Sequence, residues 1–217
     1  MENARGETTP LVIAEVAQAH DGSLGNAVAF IHAVAEAGAG AVKFQCHADD
    51  SNNEFPQDRP QTFGFPQDVD RQAYWQRTAF DERQWGQLAC VAHDCGLQFG
   101  VTPFSATAAG IVWPYCDFMK VARYNWHLLP HLHCNTIIAT VMAERRVPDG
   151  IEAIGLDRLL YKGISCHSGT VEQPLHAIRN GAAIVEVHVC WHRQQFGPDT
   201  PYSITINELA EVCNPCK

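Results

Sequence analysis

With 217 residues, 46% of them hydrophobic, the chain can bury one substantial core but not two of equal size. A formal charge of −9 without a cluster of Lys or Arg argues against nucleic acid or anionic membrane as the partner, so any anionic ligand must be held by local charges. Met1 to Pro10 is polar without the apolar run of a signal peptide, and no later stretch is long enough to span a bilayer. The expectation is a cytoplasmic protein with a polar tail at 1–10 and a single domain over 11–217.

Apolar runs rich in β-branched residues alternate with segments of helical period, the pattern of a parallel sheet built from βα units. Leu11 to Ala17 reads as the first strand. A helix follows from about Ser23, with Leu24, Val28, Ile31 and Ala35 along one face and Gly38 placed to end it. Ala41 to Cys46 is the second strand, and the polar, Pro-containing stretch from there to about residue 80 is long for a connection. Asp81 with Gln84 forms a capping-box pattern for a helix to Cys95, terminated by Gly96. Strands are expected at Gln98 to Pro103, Phe118 to Arg123, Thr136 to Met142, Gly163 to His167 and Ala183 to Cys190. Thr170 with Gln173, and Thr205 with Glu208, look like two further capping boxes.

Nine cysteines, an odd number scattered through these elements, read as reduced and mostly packed thiols. Cys213 and Cys216 form a lone CxxC with no second pair, better read as a tail than as a zinc site. His131, His133 and Cys134 likewise lack a fourth ligand at a characteristic spacing.

Strands covered on both faces should be almost wholly apolar, yet Glu15, Lys43 and Lys120 interrupt the first, second and fourth. A buried charge costs several kcal/mol or more unless it is paired or solvated, so the three need a shared explanation. One is a structural network of ion pairs; the other is a site at the strand ends of a parallel barrel. His167 and His188 stand near two strand ends, 21 residues apart, about one strand-helix-strand unit. Neighbouring parallel strands lie about 4.8 Å apart, so two imidazoles there can share one divalent ion.

Several segments together carry a family resemblance. Ile13-Ala14-Glu15-Val16, His20-Asp21-Gly22 and Val42-Lys43-Phe44-Gln45 are followed by Thr102-Pro103-Phe104, Met119-Lys120-Val121 and Ala139-Thr140-Val141-Met142-Ala143. Then come Ile164-Ser165-Cys166-His167-Ser168, Val185-Glu186-Val187-His188 and Gly197-Pro198-Asp199. In this order, from Leu11 to Val212, they resemble the N-acetylneuraminate (sialic acid) synthases.

The resemblance implies an α/β fold, a TIM-type parallel (β/α) barrel. It also implies a transferase that condenses phosphoenolpyruvate with an amino-sugar or related aldehyde. His167 and His188 would hold a divalent metal (Mn²⁺ or Mg²⁺, with Zn²⁺ as an alternative) that polarises the aldehyde oxygen. Lys43 and Lys120 would neutralise phosphate and carboxylate, with Arg123 as a further phosphate contact and Thr102 and Ser165 adding hydrogen bonds. Glu15 would position substrate or water or move a proton, and Gln45 would touch the sugar.

Departures are also legible. The acid of the family's Ser-Asp-His motif is Cys166 here, and Asn125 stands where the family has an acid after its fourth-strand lysine. Between Ala143 and Gly163 there is too little chain for a complete βα unit, so an incomplete or modified barrel is expected, either self-contained or completed as a homodimer. The family's C-terminal antifreeze-like domain is expected to be absent. Two other readings stay open: a metal-dependent lyase, aldolase or isomerase, and a non-catalytic barrel serving as a binding or assembly partner.

Overall fold

The computed structural model describes residues 10–48, 67–122, 137–141, 151–156 and 161–214, with 137–141, 151–156 and 161–162 described by their backbone alone. The expected tail, Arg123, the His131 to Cys134 cluster and Cys216 lie outside these residues.

Among the described residues nine strands make one sheet in sequential order: β1 (Leu11–Ala17), β2 (Ala41–Cys46), β3 (Gln98–Pro103), β4 (Phe118–Val121), β5 (Ile137–Val141), β6 (Ile151–Leu156), β7 (Tyr161–Cys166), β8 (Ile184–Cys190) and β9 (Ser203–Thr205). Parallel pairing of β1 with β8 closes the ring. Among the described residues six α-helices accompany it: α1 (Leu24–Ala37), α2 (Arg71–Thr78), α3 (Glu82–Asp94), α4 (Ala106–Val112), α5 (Glu172–Arg179) and α6 (Ile206–Cys213).

The expected modification takes a specific form. β6 runs antiparallel to both β5 and β7, so a single reversed strand stands where a complete βα unit would otherwise be. Reversal removes the need for a crossover helix on either side, because antiparallel neighbours can be joined by short connections. Among the described residues no helix lies between β4 and α5.

Alternation along the strands sorts side chains into two environments. Val12, Ala14 and Val16 of β1, Val42 and Phe44 of β2, and Val185, Val187 and Val189 of β8 face outward into the main core. There they meet Phe30, Ile31 and Val34 of α1, Trp85 and Leu88 of α3, and Leu209 and Val212 of α6. The residues between them face the lumen. At its floor Ile13, Ala41, Phe118 and Ile184 form a separate apolar plug. Gly100 makes room for it, since a Cβ there would lie 2.1 Å from the Phe118 ring.

Local chemistry sets the helix ends. Ser23 accepts the Asn26 N–H at the start of α1, and Gly38 leaves its end at φ 91°, a conformation open to glycine. Capping boxes form at Asp81 with Gln84 and at Thr205 with Glu208, as the sequence predicts. The third does not form: α5 starts after Val171 without a side-chain cap, because the Thr170 hydroxyl lies 3.3 Å from Ser168 Oγ instead. The long connection after β2 carries α2, capped by Asp70, whose carboxylate accepts the Ala73 N–H. The seven described cysteines are all free thiols, and burial pushes the Cys213 thiol up to about 12. No helix among the described residues is long and apolar enough to cross a membrane.

Candidate active site

Above the apolar plug the lumen turns abruptly polar. Glu15, Lys43, Lys120, Ser165, Glu186 and His188 are each at most 5% exposed. Register explains their convergence: Glu15 is opposite both Lys43 on β2 and His188 on β8, while Ser165 on β7 is opposite Glu186. Strands in register with period-two alternation thus bring residues distant in sequence to one level of the barrel.

The charges form one network. The Lys43 ammonium pairs with Glu15, donates to Thr102 Oγ1 at 2.6 Å and lies 3.8 Å from Glu186. Lys120 donates to Glu186 Oε1 at 2.5 Å and to Ser165 Oγ at 2.9 Å, and Ser165 also donates to Glu186 at 2.9 Å. Burial pulls the Lys43 pKa down to about 7, with Glu186 opposing the shift. Glu186 is held well below the usual carboxylate range: burial would raise it, but Lys120 and Lys43 together prevail. Two lysines and two glutamates leave the cluster close to neutral.

Glu15 has a second task. Its Oε1 accepts the Ala17 N–H at 2.9 Å, where β1 breaks register and Ala17 takes φ 50°. The carboxylate thereby holds a bulge at the mouth of the barrel, a position where bulges commonly redirect a strand. Both of its oxygens have partners.

His167 follows β7 directly and His188 lies within β8, with ring centroids 5.0 Å apart. His167 Nε2 is 3.3 Å from Ser165 Oγ. Burial, then His167 alongside, holds His188 well below the ordinary imidazole value and therefore neutral. Its Nδ1 is buried with no hydrogen-bond partner. A neutral imidazole with an open ring nitrogen beside a second imidazole fits a divalent ion that completes its sphere with water or ligand oxygen. The described residues contain no group of three or more His, Cys, Asp or Glu arranged for metal binding.

Of the residues singled out in the sequence, Glu15, Lys43, Thr102, Lys120, Ser165, His167 and His188 come together. Gln45 is half-buried near the mouth, opposite Thr102 in the register and 3.4 Å from His47 Nε2. Cys166 belongs to the outer core with its thiol 3.1 Å from Ser168 Oγ, so the residue in place of the family's acid does not face the lumen. Two acids escaped the sequence reading. Glu186 is the hub of the network, and its signal was its position two residues before His188, on the same face of β8. Asp199, half-buried after β8, is pushed up to about 6 by burial, with Lys43 and Arg71 opposing.

A closed ring of strands, parallel but for β6, with charged side chains converging in its lumen places the chain among the α/β barrels. The family model of the NeuB family matches residues 30–142 and 132–217, and the chain belongs to that family. A solved structure with the same fold is the N-acetylneuraminic acid (sialic acid) synthetase from Leptospira borgpetersenii in complex with citrate. The two superpose with a TM-score of 0.70 at 21% identity, covering 96% of this chain and 83% of that one. The putative spore coat polysaccharide biosynthesis protein E from Chromobacterium violaceum gives a TM-score of 0.70 at 19% identity, covering 94% and 72%. A truncated 3-deoxy-D-arabino-heptulosonate 7-phosphate synthase from Thermotoga maritima gives 0.61 at 13%, covering 97% and 86%. No curated protein matches by sequence.

Proposed function

We propose that this chain is a sialic acid synthase-like transferase that condenses phosphoenolpyruvate with an amino-sugar aldehyde. The observation that carries the reading is the lumenal cluster of Lys43, Lys120, Ser165 and Thr102 beside the His167 and His188 pair, within a chain of the NeuB family. In the reaction the enol carbon forms a bond to the aldehyde carbon, water adds at the carbon that bears the phosphate, and that C–O bond breaks to release phosphate.

Lys43 and Lys120 supply the positive charge that phosphate and carboxylate require, and burial keeps it from being screened. An incoming anion would compete with Glu15 and Glu186 for the two ammoniums and would strengthen the hold of Lys43 on its proton. Thr102 and Ser165 fix where each ammonium sits. His167 and His188 would hold the divalent ion, which when bound would polarise the aldehyde oxygen. Asp199, with its pKa near 6, is the acid best poised to exchange a proton near neutrality.

The test is phosphate release from phosphoenolpyruvate with a panel of aldehydes and Mn²⁺, comparing the parent protein with His188→Ala. Aldehyde-dependent release lost in the variant is the expected outcome; no such release from the parent protein defeats the reading. A non-catalytic barrel is favoured by one observation, the pairing of both lysines with acids. Calorimetric titration with Mn²⁺ separates the two, since the non-catalytic reading expects no stoichiometric binding.

A further inference from the structure

The reversed strand β6 carries one charged residue, Glu152, in the run Ile151-Glu152-Ala153-Ile154-Gly155-Leu156. Two separate paths through the register fix its face. On one side Glu152 is directly opposite Ser165 of β7, whose hydroxyl donates to Glu186 in the lumen. On the other side Leu156 is opposite Ile138 of β5, and Ile138 is opposite the lumenal Lys120 of β4. Partners across a ladder share a face, and period-two alternation leads from Leu156 through Ile154 to Glu152. Both paths place Glu152 on the lumen face. The register shift against β7 falls between Ile154 and Gly155, while the ladder with β5 is continuous from Ala153 to Leu156, so the shift leaves this placement intact.

Among the described residues the two lumenal ammoniums are already matched, Lys43 with Glu15 and Lys120 with Glu186. One more carboxylate on this face therefore calls for a further cation, because a charge left uncompensated in a buried site is strongly destabilising. The histidines supply a place for one. His167 lies two residues beyond Ser165, which makes it the diagonal neighbour of Glu152 across β6 and β7. Diagonal neighbours are about 7–8 Å apart, within reach of a long side chain. The rings of His167 and His188 are 5.0 Å apart, and His188 Nδ1 is buried without a hydrogen-bond partner.

We infer that Glu152 is a third protein ligand of the divalent ion, completing a set of two imidazoles and one carboxylate. The inference rests on the reading of His167 and His188 as the metal pair of a synthase and deepens it. Cys166, beside His167, belongs to the outer core and brings no acid to the lumen. The strand that stands in place of a βα unit supplies one from the neighbouring position. Three protein donors leave coordination sites open for water and a substrate oxygen, as the proposed condensation requires.

The experiment titrates the full-length protein calorimetrically with Mn²⁺, comparing the parent, Glu152→Gln and Glu152→Asp, and measures water-proton relaxation by the bound ion. The parent should bind one ion. Glu152→Gln should bind it at least about tenfold more weakly, since even an outer-shell partner is worth that much. Water takes the vacated position, so the relaxation enhancement per bound ion should rise. Glu152→Asp, which keeps the charge on a shorter arm, should recover part of the affinity. In EDTA the melting midpoint of Glu152→Gln should equal or exceed that of the parent, because an uncompensated carboxylate has been removed. Unchanged affinity, unchanged relaxation enhancement, or no stoichiometric Mn²⁺ in the parent overturns the inference. So does a Glu152→Gln variant that melts below the parent in EDTA, the mark of a structural counter-ion to Lys120. Phosphate release from phosphoenolpyruvate is measured separately. Metal binding that depends on Glu152 without aldehyde-dependent release leaves the ligand assignment standing and defeats the synthase reading. Release by a parent whose Mn²⁺ affinity is indifferent to Glu152→Gln does the reverse.

Discussion

Replacing Glu186 with Gln removes one negative charge from the lumen while keeping the shape of the side chain. The carboxylate lies 2.5 Å from the Lys120 ammonium and 3.8 Å from that of Lys43, and Glu186 is 1% exposed. At an effective dielectric near 20, one ion pair at about 4 Å amounts to about 4 kcal/mol of attraction, so two such contacts exceed the desolvation the carboxylate suffers. The net cost of breaking one partner of a buried pair is about 3–5 kcal/mol. Urea unfolding followed by circular dichroism at pH 7 should show a loss of that order for Glu186→Gln. Adding Lys120→Met should cost clearly less than the sum of the single losses, because the two residues share one interaction. The pH dependence follows from the direction of the shift. The folded-state pKa of Glu186 lies below its ordinary 4.5, so its contribution is complete above about pH 4.5 and fades as pH falls. The gap between parent and variant should therefore be widest above about pH 4.5 and narrow progressively as pH falls below it. Equal stabilities at pH 7, or a gap that stays constant down to pH 3, would refute the account of Glu186 as the hub of the network.

Three further expectations can be checked by unfolding measurements. A Cβ on Gly163 would lie 1.8 Å from the Ile184 carbonyl oxygen, so Gly163→Ala must push β7 from β8 and should cost more than about 3 kcal/mol or prevent soluble expression. His20 Nδ1 accepts the Gly22 N–H, and burial lowers its pKa to about 3, so the parent protein should lose stability as pH falls from 6.5 towards 3. His20→Asn keeps an acceptor and should flatten that acid limb in thermal melts. Asp199 runs the other way: with its folded-state pKa near 6, stability present below about pH 4 is lost as pH rises through 6. Asp199→Asn should therefore raise the melting midpoint at pH 8 relative to pH 5, by the equivalent of about 2 kcal/mol at most; an unchanged difference would contradict the buried-carboxyl account.

Much of this arrangement was legible because strands carry a strict period. Glu15, Lys43 and Lys120 stood out as charges in apolar runs, and the fold shows why they can be there: every second residue faces a lumen rather than a helix. The same period would have exposed Glu186, which shares a face with His188, had the histidine not drawn attention from its neighbour. Asp199 carries no such signal, since it sits after β8 where no periodicity applies and its environment is made by α2 and β2. The direction of β6 was also hidden. The short stretch between Ala143 and Gly163 announced that something was missing, but strand polarity is set by pairing partners, which local sequence does not encode. The cap expected at Thr170 failed for a similar reason, because a neighbouring hydroxyl competed for it.

The pairing of β1 with β8 has a consequence for how the chain comes to be folded. Leu11 aligns with Ile184, so β1 finds its second neighbour only after about 170 further residues have been made. Until then one edge of β1 is unpaired, and Glu15 has Lys43 beside it but no Glu186 to balance the second ammonium. Closing a loop of that length carries an entropic penalty that local hairpins such as β6 with β7 avoid. Nascent chains truncated before β8 should therefore be held by chaperones, and barrel closure should set the rate of refolding.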